Sequence, residues 1–150
     1  MKEVLHECFP SKEHCCEHGK TSANQANKSF NIDCIAPLRS NVTRVKVDGC
    51  LIADSKNKKC DWLFLVPDRK LLILVELKGE DVLYAIDQLL STIQALKPMV
   101  NASSDKYAIV IPSKVAPAIL TSIQRAKLML KRDYGVDLHI KNRQYNFPLT

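Results

Sequence analysis

The pattern of apolar and polar positions changes character along the chain. Residues 1–40 are polar and hold no sustained period. A helix over 2–9 and another around 22–28 are the regular elements they suggest, and KTSANQANKSFN reads as a loop or short helix. From Asn41 the pattern sharpens. Val42, Val45, Val47, Cys50 and Ile52 mark a β-rich run, TRVKVDGCLI, with a bulge or turn at Asp48-Gly49. After a polar turn, SKNKK at 55–59, the run CDWLFLV at 60–66 is rich in aromatic and branched residues and reads as a strand. PDRK at 67–70 has turn chemistry, because proline presets φ and aspartate tolerates the bend. LLILVELK at 71–78 is almost unbroken in apolar residues, as a central strand covered on both faces must be.

Gly79 breaks that strand, and Glu80 and Asp81 suit the positive N-terminal end of a helix. Val82, Ile86, Leu89, Ile93 and Leu96 recur at helical spacing until Pro98 stops the helix. KYAIVIP at 106–112 reads as another buried strand. Pro117 fits a helix's first turn, and Ile119, Leu120, Ile123, Leu128 and Leu130 continue a second amphipathic helix that Gly135 ends. VDLHIK at 136–141 alternates and reads as a last strand at a sheet edge. The order is β-β-β-α-β-α-β. It predicts an α/β (α+β) fold, a mixed sheet built on a three-strand meander and flanked by helices, in one domain over 1–150.

Composition adds limits. At 150 residues, 46% hydrophobic and 25% charged, the chain suits one globular core. No apolar run approaches the roughly 18 residues that cross a bilayer. The start, MKEVLHECFPSKEHCC, lacks the apolar stretch of a secretory signal, so a cytoplasmic location is expected. Net charge is +6, unevenly spread: from Lys114 onward seven bases (Lys114, Arg125, Lys127, Lys131, Arg132, Lys141, Arg143) face two acids, whereas 61–113 holds seven acids and five bases. A basic end beside an acid-bearing centre fits a protein that holds a polyanion and brings metal to it. All six cysteines lie in the first 60 residues. In a cytoplasmic chain they are expected as free thiols. Cys8, His14, Cys15, Cys16 and His18 could together supply four zinc ligands, although no Cys-x2-Cys spacing occurs.

The chemistry concentrates in the hairpin of 60–66 and 71–78. A four-residue loop sets Val66 opposite Leu71, so opposed residue numbers sum to a constant, and Asp61 falls across from Glu76. Opposed side chains share a face about 5 Å apart at Cβ. Lys78, two residues on, shares that face too. Asp68 completes a left-to-right "PD … ExK" with Glu76 and Lys78 but lies in the turn, about 25 Å of strand from Glu76. Asp61, Glu76 and Lys78 on one face of a buried hairpin are costly without compensation. A structural salt bridge would compensate in part. A hard Mg2+ or Mn2+ ion, held by Asp61, Glu76 and the Leu77 carbonyl, would do so more fully. Asp48, on the strand before, could add a ligand or make a turn with Gly49, and the turn is favoured. Gln88 shares a helical stripe with Tyr84.

The stretch CDWLFL…LLILVELKG, followed by a helix with DQLLSTI, resembles the PD-(D/E)xK nuclease superfamily, which has the restriction-endonuclease-like fold. The resemblance covers about 43–112. It implies a core of helix, three-strand meander, helix and strand, the first helix lying in 1–40. Asp61 matches the family aspartate of the second strand, and Glu76 and Lys78 match the E-x-K of the third. Cys60 stands where the family pattern has proline. Gln88 matches a glutamine that several members turn toward the active site. A glutamate that many members place on the first helix has four candidates: Glu3, Glu7, Glu13 and Glu17. The resemblance implies a Mg2+- or Mn2+-dependent endonuclease acting on nucleic acid, DNA first, with Asp61, Glu76, Lys78 and Gln88 catalytic. The C-terminal bases would hold phosphates, and because the core leaves little chain for reading sequence, structure-specific cutting, or targeting by a homodimer or protein partner, is expected over autonomous site-specific restriction. The alternatives are a catalytically inactive binding or assembly module of that fold, and a zinc-binding regulatory protein.

Overall fold

The computed structural model describes residues 2–54, 56 and 58–149. The SKNKK turn thus lies partly outside the described residues, at 55 and 57. The strands are β1 (Cys16–His18), β2 (Ser22–Gln25), β3 (Lys28–Asp33), β4 (Thr43–Lys46), β5 (Trp62–Val66), β6 (Leu71–Leu77), β7 (Asp105–Ile111), β8 (Asp137–Ile140) and β9 (Gln144–Pro148). The helices are α1 (Lys2–Cys8), α2 (Ala36–Arg39), α3 (Val82–Ala95), α4 (Lys97–Ala102) and α5 (Leu120–Tyr134).

Six strands form one mixed sheet in the order β1-β4-β5-β6-β7-β8. β4, β5 and β6 are the expected antiparallel meander, while β7 and β8 join in parallel. Parallel neighbours need crossovers, and α3–α4 and α5 supply them. β8 lies at the sheet edge, as its alternating pattern predicts. All seven residues of β6 are buried. Leu72 and Leu74 pack with Leu89, Ile93 and other helix residues, whereas Ile73, Val75 and Leu77 pack with Phe30, Ile32 and Phe147. The central strand is therefore covered on both faces, and Glu76 shares the helix side by alternation.

The second cover corrects the sequence reading. Residues 22–28 form no helix: β2 and β3 make a hairpin through Ala26 and Asn27, with Ala26 at φ 54. β9, beyond the expected last strand, pairs in parallel with β3 and completes a three-stranded sheet. Its strands are short and mostly polar, but Ala23, Phe30 and Ile32 are almost wholly buried under the large sheet. The first meander strand also stops sooner than expected, at Lys46, and the chain turns through Gly49 at φ +78. Pro98 stands in the first turn of α4, so it opens that helix as well as following α3.

Candidate active site

The hairpin has the predicted register. Val66 pairs with Leu71 and Trp62 with Val75. One step further, where the regular ladder stops, the side chains of Asp61 and Glu76 take over the pairing. The Asp61 N–H donates to Glu76 Oε1 at 3.0 Å, and Asp61 Oδ2 accepts the Leu77 N–H at 3.0 Å. Lys78 donates its own N–H to Ile111 on β7, so Leu77 turns its N–H and its carbonyl toward Asp61. Asp68 sits on the Pro67–Arg69 turn, as the strand arithmetic requires.

Glu76 is 3% exposed. Burial pushes its carboxyl up to about 8, the charge of Asp61 adds to the shift, and Lys78 opposes it. Burial also raises Asp61, against the stabilising Leu77 N–H. Asp48 lies within electrostatic reach of both and raises both. It occupies the turn with Gly49, as expected, and from there adds a third acid, with its Oδ1 3.8 Å from the ammonium of the buried Lys59. Of the four N-terminal glutamates, Glu13 faces His6 and His18, and Glu17 binds Arg44 at 2.6 Å.

Lys78 places its ammonium 4.5 Å from the centre of the Tyr84 ring, and Lys58 approaches the same ring at 4.9 Å. Such contacts contribute roughly 0.5–1 kcal/mol at exposed sites. Tyr84 thus holds two cations at the mouth of the site. Its own position is set where Asp81 caps α3 by accepting the Tyr84 N–H at 3.0 Å. Gln88 reaches the main chain before Asp61. Its Nε2 donates to the Lys59 carbonyl at 3.0 Å, and one turn on, Thr92 Oγ1 accepts the Cys60 N–H at 2.9 Å. Together they fix the two residues before Asp61 to α3. Sequence reasoning found Gln88 but missed Thr92. The signal was a polar residue four positions on, within an otherwise apolar helix face.

No family model, curated protein or solved structure matches this chain.

The donor set fits a hard divalent cation. It offers two carboxyl groups with more negative charge than their burial tolerates, and a backbone carbonyl beside them. The nearest thiol, Cys60, is buried, and its pKa is pushed far up by that burial, so it remains a protonated donor to the Trp62 carbonyl at 3.6 Å. A soft metal finds no thiolate there.

Two expectations outside this site change. Cys15 and Cys50 are joined in a disulfide, so the six cysteines are not all free thiols. The pairing of Cys16 with Val45 sets Cys15 beside the turn that follows β4, a juxtaposition that a separation of 35 residues hides in sequence. Of the five expected zinc ligands, His14 and Cys15 come together, with Cys50 as the third member, all ligand atoms lying within 4.8 Å. The disulfide occupies both sulfurs of that group. The basic residues of the α5 last turn, Lys131 and Arg132, are paired with Asp137 and Asp133. Asp137 is level with Tyr107, itself level with Ile73, so this turn lies about 10 Å of strand short of Glu76 and two strands aside. Lys141 and Arg143 lie at the Val110–Pro112 end of β7, nearer the level of Glu76. Among the described residues no helix is long and apolar enough to cross a membrane.

Proposed function

We propose that the protein is a metal-dependent nuclease that hydrolyses phosphodiester bonds of DNA, with a restriction-endonuclease-like core. The observation that carries this reading is the crossed pair Asp61–Glu76 at the open end of the meander, with Glu76 buried, its proton held more tightly by the charge of Asp61, and Lys78 beside it. Asp61, Glu76 and the Leu77 carbonyl would hold Mg2+ or Mn2+. The bound cation would acidify a water and polarise a phosphoryl oxygen.

The residues of the chain do the rest. Glu76 would release its proton to make way for a cation, whose charge would then offset both carboxylates. Lys78, steadied on Tyr84, faces the site with a fixed cation that orients the attacking water and stabilises charge developing on the phosphate. Gln88 and Thr92 hold the chain before Asp61 and so act as positioning residues. Lys58 adds a second cation for the phosphate backbone beside the centre.

Purified protein tested on single-stranded, duplex and branched DNA should cut only with Mg2+ or Mn2+, and Glu76→Ala and Lys78→Ala should lose the activity. Cleavage that survives both substitutions would rule this site out. DNA binding without cleavage would make the fold a binding module.

A further inference from the structure

Beside Asp48 and Asp61, on the second-sheet side of the meander's end, lies a cleft of about 340 Å³ bounded by these two and Asn24, Gln25, Lys46 and Trp62. One wall is the tip of the β2–β3 hairpin, whose Asn24 and Gln25 are exposed. The other is the end of the meander. Trp62 borders the cleft, and the Arg44 guanidinium lies over its ring 4.3 Å from the centroid. Arg44 is itself anchored to the Ser22 carbonyl at 2.7 Å and to Glu17, so its guanidinium covers one face of the indole and links it to the second sheet.

We infer that this cleft seats one unpaired nucleotide directly beside the phosphate to be cut, making single-stranded DNA or an unpaired flap the preferred substrate. This rests on the nuclease reading above and names its substrate class. The chemistry of the wall matches one nucleotide in each part. An indole offers a stacking surface that accepts any base. Two exposed amides offer donors and acceptors to a base edge or sugar. Lys46 supplies a cation for the phosphate on the side away from Lys58 and Lys78. Asp48 and Asp61 face the same space and would repel a phosphate, which confines it to where a cation between Asp61 and Glu76 offsets their charge. A duplex does not enter: a space of about 340 Å³ holds a single nucleotide, not a base pair with both its backbones.

Trp62 is the one tryptophan in the sequence, so its fluorescence reports on the cleft alone. Titrating single-stranded oligodeoxynucleotide into the full chain with Ca2+, to hold the site without turnover, should quench it saturably. Duplex of the same sequence should bind at least about tenfold more weakly. Asn24→Ala with Gln25→Ala, both at exposed positions that leave the core intact, should weaken single-strand binding about tenfold, as should Lys46→Ala. Trp62→Phe, followed by anisotropy of a labelled oligonucleotide, should keep more affinity than Trp62→Ala. Equal single-strand and duplex binding, or hairpin-tip variants that bind and cut like wild type, would overturn the cleft assignment while leaving metal-dependent cleavage, and with it the nuclease reading, in place. If the wild-type protein cuts no DNA with Mg2+ or Mn2+ and no quench occurs, both fall.

Discussion

The Glu76 carboxyl has two ways to relieve its burial: it can keep its proton, or it can share its charge with a cation. Without metal it does the first. Its value in the folded protein, about 8, lies above the ordinary 4.5, so the fold binds that proton more tightly than the unfolded chain does. The resulting stabilisation is complete below about 4.5 and is lost as pH rises through about 8. Metal-free wild type should therefore lose stability relative to Glu76→Gln across that interval, by a few kcal/mol at the upper end, which thermal melts of both proteins at a series of pH values will show. Adding Mn2+ should reverse the loss. Calorimetric titration near pH 7 in buffers of different ionisation enthalpy should find about one proton released per cation bound, and no release would show that the cation binds elsewhere. Asp61→Asn should abolish cation binding. Lys78→Met should keep it and slow cleavage by roughly 10²–10⁴-fold. At this scale the juxtaposition of Asp61 and Glu76 was legible in the sequence, because a four-residue loop fixes hairpin register and register alone brings the two together. Asp48 was recognised as a turn residue, but its closeness to the pair depends on how the chain folds back after β4, which no periodicity records.

At the scale of elements, α3 does more than cover the sheet. Its Gln88 and Thr92 hold the segment before Asp61 by one side chain–main chain bond each. Thr92→Val should cost about 1 kcal/mol or somewhat more, since the Cys60 N–H is left buried without an acceptor. It should lower the cleavage rate without removing cation binding. Thr92→Ser should restore both in urea titrations and rate assays, whereas a purely steric role for Thr92 would favour Val over Ser. The large elements were legible because each carries its own period: unbroken apolar runs for β6 and β7, a 3.6-residue stripe for α3. The β2–β3 hairpin was not. Phe30 and Ile32 alternate correctly, but four- and six-residue strands with so few apolar positions are stabilised mainly by tertiary cover, here the Phe64 and Ile73 face of the large sheet.

Across the whole molecule, the Cys15–Cys50 disulfide ties the β1 edge to the turn that carries Asp48. Closing a separation of 35 residues removes unfolded-chain entropy worth about 4 kcal/mol at most. Urea unfolding with and without reductant should show a loss of that order in wild type, and Cys50→Ser should show no further response to reductant. Equal stability under both conditions would mean that the bridge does not form in solution. Neither this tie nor the pairing of β3 with β9 could be read from the sequence, since both join segments whose own patterns say nothing of each other. The β3–β9 ladder has a consequence for the order of events in synthesis. Asp61, Glu76 and Lys78 have all been translated once residue 78 is made, just past the midpoint of the chain. The sheet that carries the hairpin tip is completed only when residues 144–148 have been made. A nascent chain therefore holds its acids and its lysine well before the sheet that walls the neighbouring cleft is complete.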